Sequence, residues 1–192
     1  MNYKIAIGLY IFLNGCCYLK NNENLNFQIE VDRVFINYHQ DDSLNRVRSF
    51  VIPRIYYDFK IANSSLDSVT ILLNTHFDRE INEPPYLYVS FNYYGVKDTL
   101  LLTEYESVNP LIISPNSVDR FIVGVPILKH LEKNLYKNET RSSFMKYVAD
   151  HGVVHYNNPG PPGYKKLLRS QHINRSKNFK VVFADPEDTA VE

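Results

Sequence analysis

Two histidines four residues apart, in His151-Gly-Val-Val-His155, are the pattern in this chain nearest to a metal site. On a helix that spacing puts both imidazoles on one face, as in zinc enzymes built on HExxH. Here Gly152 and two valines fill the gap and the general-base glutamate is absent. His151 and His155 are therefore weak metal candidates. They read as surface or half-buried side chains near a helix end, and no metal or other cofactor is expected. Two further stretches, His39-Gln-Asp41-Asp42 and His76-Phe-Asp78-Arg79-Glu80, bring imidazoles and carboxylates together. With Glu83 nearby, paired carboxylates of this kind are the apparatus of acid–base work on a sugar. A hydrolase using these loops together with His151 is one reading, although polar loops are made of the same residue types. No serine stands in a G-x-S-x-G elbow, and no glycine-rich loop is present to cradle phosphate. Tyrosine supplies the other candidate chemistry, with 15 copies and no tryptophan. Tyr56, Tyr86, Tyr88 and Tyr93 are candidates for a ligand surface, because a phenol offers a sugar ring or a peptide an apolar body with a polar tip. Strands favour tyrosine for packing in any case.

The elements that carry these residues are mostly strands. Phe27-Gln-Ile29-Glu-Val31 alternates cleanly, then slips by one residue at Arg33-Val34, which predicts a bulge or a break. Phe50 to Ala62 resumes the pattern, with Pro53 confining its start to an edge or bulge. Asn63-Ser-Ser-Leu-Asp67 has turn chemistry and leads into Val69 to Thr75 as the second arm of a hairpin. Tyr86 to Tyr94 alternates again, with Tyr86, Tyr88, Ser90 and Asn92 on one face and Leu87, Val89, Phe91 and Tyr93 on the other. Tyr94-Gly-Val-Lys-Asp98 turns the chain back into Thr99 to Tyr105. Leu111 to Ile113 and Val118 to Val125 complete about seven short segments, the spacing of an antiparallel sandwich or barrel. The turns Ile61-Ala-Asn63 and Ile113-Ser-Pro-Asn-Ser117 are similar to those of immunoglobulin-like domains in bacterial secreted proteins. The fold expected is thus mainly β, an antiparallel immunoglobulin-like sandwich over residues 27–126.

After Pro126 the period changes. Ile127, Leu128, Leu131 and Leu135 recur at helical spacing, as do Phe144, Tyr147 and Val148, with Thr140 or Ser142 placed to cap a second helix that ends at Gly152. Residues 127–156 are expected as a helical extension packed on the sandwich. Residues 157–192 are read as a Pro/Gly-rich linker and a basic-then-acidic tail, with one strand at Phe179 to Phe183.

Localisation is written at the other end. Lys4, the nine-residue apolar run Ile5 to Leu13, and Gly15 before Cys16 form the layout of a secretory signal peptide. The run is far short of the roughly 20 apolar residues that a transmembrane helix needs. Leu13-Asn14-Gly15-Cys16 resembles the lipobox of bacterial lipoproteins, with Asn14 where that pattern has a small or apolar residue. The resemblance implies cleavage after residue 15 and attachment of lipid to Cys16, with residues 16–26 as a polar tether; ordinary secretion of a free protein is the alternative. Cys16 and Cys17 are the only cysteines, which excludes a disulfide framework, a Cys nucleophile or a Cys-ligated zinc from the remaining chain. Acidic and basic residues balance at 21 each, and loss of Lys4 leaves 20 against 21, so no overall field recruits nucleic acid. The function expected is a non-catalytic binding or assembly module of the cell envelope. Its partners would be the bilayer, through acylated Cys16, and an envelope protein or glycan. The hydrolase and a purely structural accessory subunit are the rival readings.

Overall fold

The computed structural model describes residues 27–38, 53–73, 86–103, 110–127, 140–157 and 170–184. They form nine strands and one helix: β1 (Phe27–Asn37), β2 (Arg54–Asn63), β3 (Val69–Ile71), β4 (Leu87–Tyr93), β5 (Val96–Leu101), β6 (Leu111–Ile113), β7 (Ser117–Pro126), α1 (Arg141–His151), β8 (Val153–Tyr156) and β9 (Gln171–Val182). Among the described residues no helix is long and apolar enough to cross a membrane.

The slip in the alternation of β1 is a bulge at Asp32: Val31 faces Phe59 on β2, and the next pair is Arg33 with Asp58. Pro53 stands just before β2, where its missing N–H costs no ladder bond. β4 and β5 form the expected hairpin through a two-residue turn in which Tyr94 and Gly95 both have positive φ, 47° and 84°. That is the type I′ geometry whose twist matches the flanking strands.

Seven strands form one sheet in the order β5-β4-β8-β9-β1-β2-β7, while β3 and β6 pair separately. All neighbours are antiparallel except β1 and β9, which run parallel. The fold is mainly β as expected, but the sheet is mixed where all-antiparallel pairing was anticipated. It also curls. Thr103, two residues beyond β5, exchanges both backbone hydrogen bonds with Gly124 of β7 at 3.2 Å, so the two outermost strands meet.

Three expectations are corrected by this topology. Asn63 to Asp67 does not fold β3 back onto β2, because β2 is taken by β1 and β7 on its two sides. The stretch 153–156, expected at the end of a helical extension, is strand β8 inside the sheet. The stretch read as tail supplies β9, which enters between β8 and β1. Its Phe179 to Val182 end was legible, but only Ile173 is buried along the whole strand, so it lacks the apolar alternation that marks the others.

Helix α1 starts where its cap predicts, with Ser143 N donating to Thr140 Oγ1 at 3.2 Å. It buries Phe144, Met145, Val148 and Ala149 against the inner side of the sheet. The helix ends at Gly152, whose N–H donates to Val148 O at 2.8 Å. A Cβ at residue 152 would lie 2.5 Å from Val89 Cγ1 and 2.6 Å from Val148 O, so only glycine fits this joint between helix and strand. Arg175 of β9 donates to the carbonyls of Ala149, Asp150 and Gly152, satisfying the orphan acceptors of the last turn. The first of the two expected helices lies outside the described residues.

Candidate functional site

The parity of β4 places its side chains as the alternation predicts. Leu87, Val89, Phe91 and Tyr93 are buried, and Tyr88, Ser90 and Asn92 lie on the opposite face. Tyr93 is therefore a core residue, packed edge-to-face against Phe144 and Tyr147 at 4.9 Å each.

Because β8 lies between β4 and β9, three rings fall in one register row. Tyr88 of β4 faces His155 of β8, and His155 faces His172 of β9. Tyr88 and His155 stack with centroids 4.7 Å apart and planes 5° from parallel. His172 meets His155 at 4.6 Å in an edge-to-face arrangement. Two residues along β4 from Tyr88 and on the same face, Ser90 Oγ shares a 2.6 Å hydrogen bond with His155 Nε2. Burial, and then the neighbouring His172, hold the His155 imidazole below its ordinary pKa, which favours the neutral ring.

Ser90 also borders a groove of about 620 Å³ between the β4–β5 hairpin and the end of α1. Ser90, Asn92, Lys97, Asp98 and Thr99 supply its polar lining, and Tyr147 and His151 supply rings. Those rings stack on each other at 4.4 Å, and Tyr147 Oη donates to Asn92 O at 2.7 Å. His151 is exposed, with Nδ1 3.1 Å from Tyr147 O. A ring pair beside an array of hydroxyl, amide, ammonium and carboxylate groups can stack on an apolar face and bond to the polar rim around it.

No family model, curated protein or solved structure matches this chain.

The four tyrosine candidates are not gathered into one platform. Tyr88 joins the histidine row, Tyr93 is buried, and Tyr86 is half-buried just before β4, its carbonyl accepting from Asn157 N at 2.7 Å. Tyr56 lies opposite Gly124 on β7, and a Cβ there would sit 2.6 Å from its ring. Its ring fills the space left by a glycine at the point where the sheet closes. His151 and His155 go to different neighbours, one to Tyr147 and one to Tyr88, because the helix ends between them. Among the described residues no group of three or more His, Cys, Asp or Glu side chains is placed to hold a metal ion. Cys16 and the loop candidates His39, Asp41, Asp42, His76, Asp78, Glu80 and Glu83 lie outside the described residues.

Sequence reasoning missed a charge network across four strands. Asp58 on β2 is 1% exposed, and its Oδ2 accepts from Arg33 Nε at 2.9 Å and Arg120 Nη1 at 2.8 Å. Arg120 Nη2 reaches Asp32 at 2.5 Å, and Ser176 of β9 donates to the same carboxylate at 2.8 Å. Burial alone would raise the Asp32 carboxyl, but the bonds from Ser176 and Arg120 and the Arg120 charge outweigh it and hold the pKa below its ordinary value. The available signal was the bulge itself, which turns two consecutive charges, Asp32 and Arg33, into positions where both meet partners. This network fixes β7, β2, β1 and β9 to one another and has no bearing on the groove.

Proposed function

We propose that this protein is an exported envelope lipoprotein, anchored through acylated Cys16, that acts as a binding module rather than an enzyme. Its ligand would be an envelope glycan, held in the groove between the β4–β5 hairpin and the end of α1. The observation that carries this reading is the lining of that groove, in which the stacked Tyr147–His151 pair stands beside Ser90, Asn92, Lys97, Asp98 and Thr99. Sugar rings present C–H faces to aromatic rings and hydroxyls to polar side chains, which is the complement of this lining. The anchor rests on the signal segment and on Leu13-Asn14-Gly15-Cys16. The resemblance to immunoglobulin-like domains rests on two turns, and the binding reading does not depend on it.

Co-sedimentation with insoluble cell-wall glycan tests the proposal. The wild-type chain should pellet with the glycan, and Lys97→Ala and His151→Ala should pellet less. Equal pelleting of all three would argue against this groove.

A second reading draws on one observation, the 2.6 Å Ser90–His155 hydrogen bond, which has the form of a nucleophile beside a base. Against it stands the position of Ser90 in a strand paired on both sides, opposite Thr99 and Val153. The N–H of Thr99, opposite Ser90, is taken by Asp98 Oδ1 at 2.9 Å, and among the described residues no pair of N–H groups is shown converging beside Ser90 as an oxyanion hole would require. Failure of a serine-directed fluorophosphonate to label Ser90 is the result expected of a binding module.

A further inference from the structure

We propose that His155 and His172 together form a surface site for a divalent transition-metal ion, with two imidazole ligands from adjacent strands and the remaining positions filled by solvent. The two residues are direct cross-strand partners on β8 and β9. Their side chains therefore leave the same face of the sheet from Cβ atoms that lie about 4.5–5.5 Å apart in such pairs. Metal–nitrogen bonds of about 2.0–2.1 Å, with an imidazole centroid about 1.1 Å beyond each nitrogen, put two rings on one ion about 4.5–5.2 Å apart for bite angles between 90° and tetrahedral. The observed centroid separation is 4.6 Å. The rings are 65° from coplanar, so a rotation of His172 about its own side-chain bonds is what aims its nitrogen at an ion shared with His155. His172 is exposed, while His155 is held by its stack on Tyr88 and by the bond of its Nε2 to Ser90, which leaves Nδ1 as the nitrogen that would take the ion.

This pairing differs from the His151–His155 spacing that the sequence offers. The metal-binding geometry arises across strands, between residues 17 positions apart in the chain, and sequence spacing carries no trace of it. Two imidazoles with open positions select ions that accept nitrogen donors, in the order Cu²⁺ above Ni²⁺ and Zn²⁺. Among the described residues Mg²⁺ and Ca²⁺, which seek carboxylates, find no oxygen cage.

The test uses the full chain, purified in detergent without chelator and titrated with Cu²⁺. Electron paramagnetic resonance should report two nitrogen ligands on the tightest-bound equivalent. His172→Ala, at an exposed position where folding is not at stake, should weaken that equivalent by roughly tenfold or more and leave one nitrogen. His155→Ala should act in the same way, with circular dichroism to verify the fold, and His151→Ala should bind as the wild type does. Tyrosine emission provides a second readout: Cu²⁺ bound beside the row should quench Tyr88, and the part of the quenching that is lost in Tyr88→Phe separates its signal from that of the other 14 tyrosines. Unchanged affinity and two nitrogens in His172→Ala, or dependence on His151 instead, would overturn the assignment.

Discussion

Asn63 closes the end of the sheet, and removing its amide should be among the most damaging polar substitutions in the described residues. The side chain is 1% exposed. Its Nδ2 donates to Asp67 O at 2.8 Å, Ser114 O at 2.9 Å and, more weakly, Ile113 O at 3.3 Å. Its Oδ1 accepts from Ser65 N at 3.1 Å and Ser65 Oγ at 2.6 Å. One amide thereby joins the turn after β2 to the turn between β6 and β7, and with them the small β3–β6 sheet to the large one. At about 1 kcal/mol net per hydrogen bond, two donated and two accepted bonds are worth about 4 kcal/mol. Ser65, Asp67 and Ser114 lie at exposed or half-exposed positions. Water recovers part of what they lose, and we expect Asn63→Ala to cost about 3 kcal/mol. With a urea m-value of about 2 kcal/mol/M, the unfolding midpoint should fall by about 1.5 M. Asn63→Asp keeps the shape and the acceptor but turns a carboxylate toward three carbonyl oxygens, so at neutral pH it should be the worse of the two. A loss under about 0.5 kcal/mol for the alanine variant, the range of ordinary surface substitutions, or a milder aspartate, would show that this amide does not hold the two turns together.

Asp32→Asn should destabilise at neutral pH by about 1 kcal/mol, the scale of a partly exposed ion pair. Because the folded-state pKa of Asp32 lies below the unfolded one, its contribution is fully present above the unfolded carboxyl value near 3.9 and is lost as pH falls through the folded value. Urea titrations of both proteins should therefore converge only in acid. Gly124→Ala should cost about 1–3 kcal/mol by pressing on the Tyr56 ring, and most of that penalty should vanish in a Tyr56→Ala background, as a double-mutant cycle will show. A fatty-acid analogue fed to cells expressing the precursor should label the wild type and leave Cys16→Ser unlabelled.

Much of the sheet was legible because one-sided burial writes itself as alternation. Leu87 to Tyr93 gave both its extent and the side on which each residue falls, and the slip after Val31 located the bulge. Helix α1 was marked at both ends, by Thr140 and by Gly152. The turns at Asn63 and at Ser114 to Ser117 were readable as turns, although not as partners fastened to each other by one side chain. Apart from the β4–β5 hairpin, whose turn lies between its strands, pairing was not legible, since it depends on contacts distant in sequence. β9 shows the extreme case, a 12-residue strand with a single buried apolar residue, held by backbone bonds to β1 and β8. The site suffered for the same reason. Tyr88, His155 and His172 acquire meaning only once β8 lies between β4 and β9, and Ser90 draws notice only through its neighbours. Tyrosine count pointed to rings without distinguishing Tyr93, which the parity of its own strand assigns to the core.

Glycan binding in the groove can be followed by amide chemical shifts of the isotopically labelled chain. On titration with soluble oligosaccharides released from bacterial cell wall, saturable shifts are expected at Ser90, Asn92, Lys97, Asp98, Thr99, Tyr147 and His151. His151→Ala should keep the fold and weaken binding by about tenfold, the loss of one stacking ring worth about 1.4 kcal/mol. An unperturbed spectrum at millimolar oligosaccharide, or saturable shifts confined to residues away from the β4–β5 hairpin and the end of α1, would contradict it.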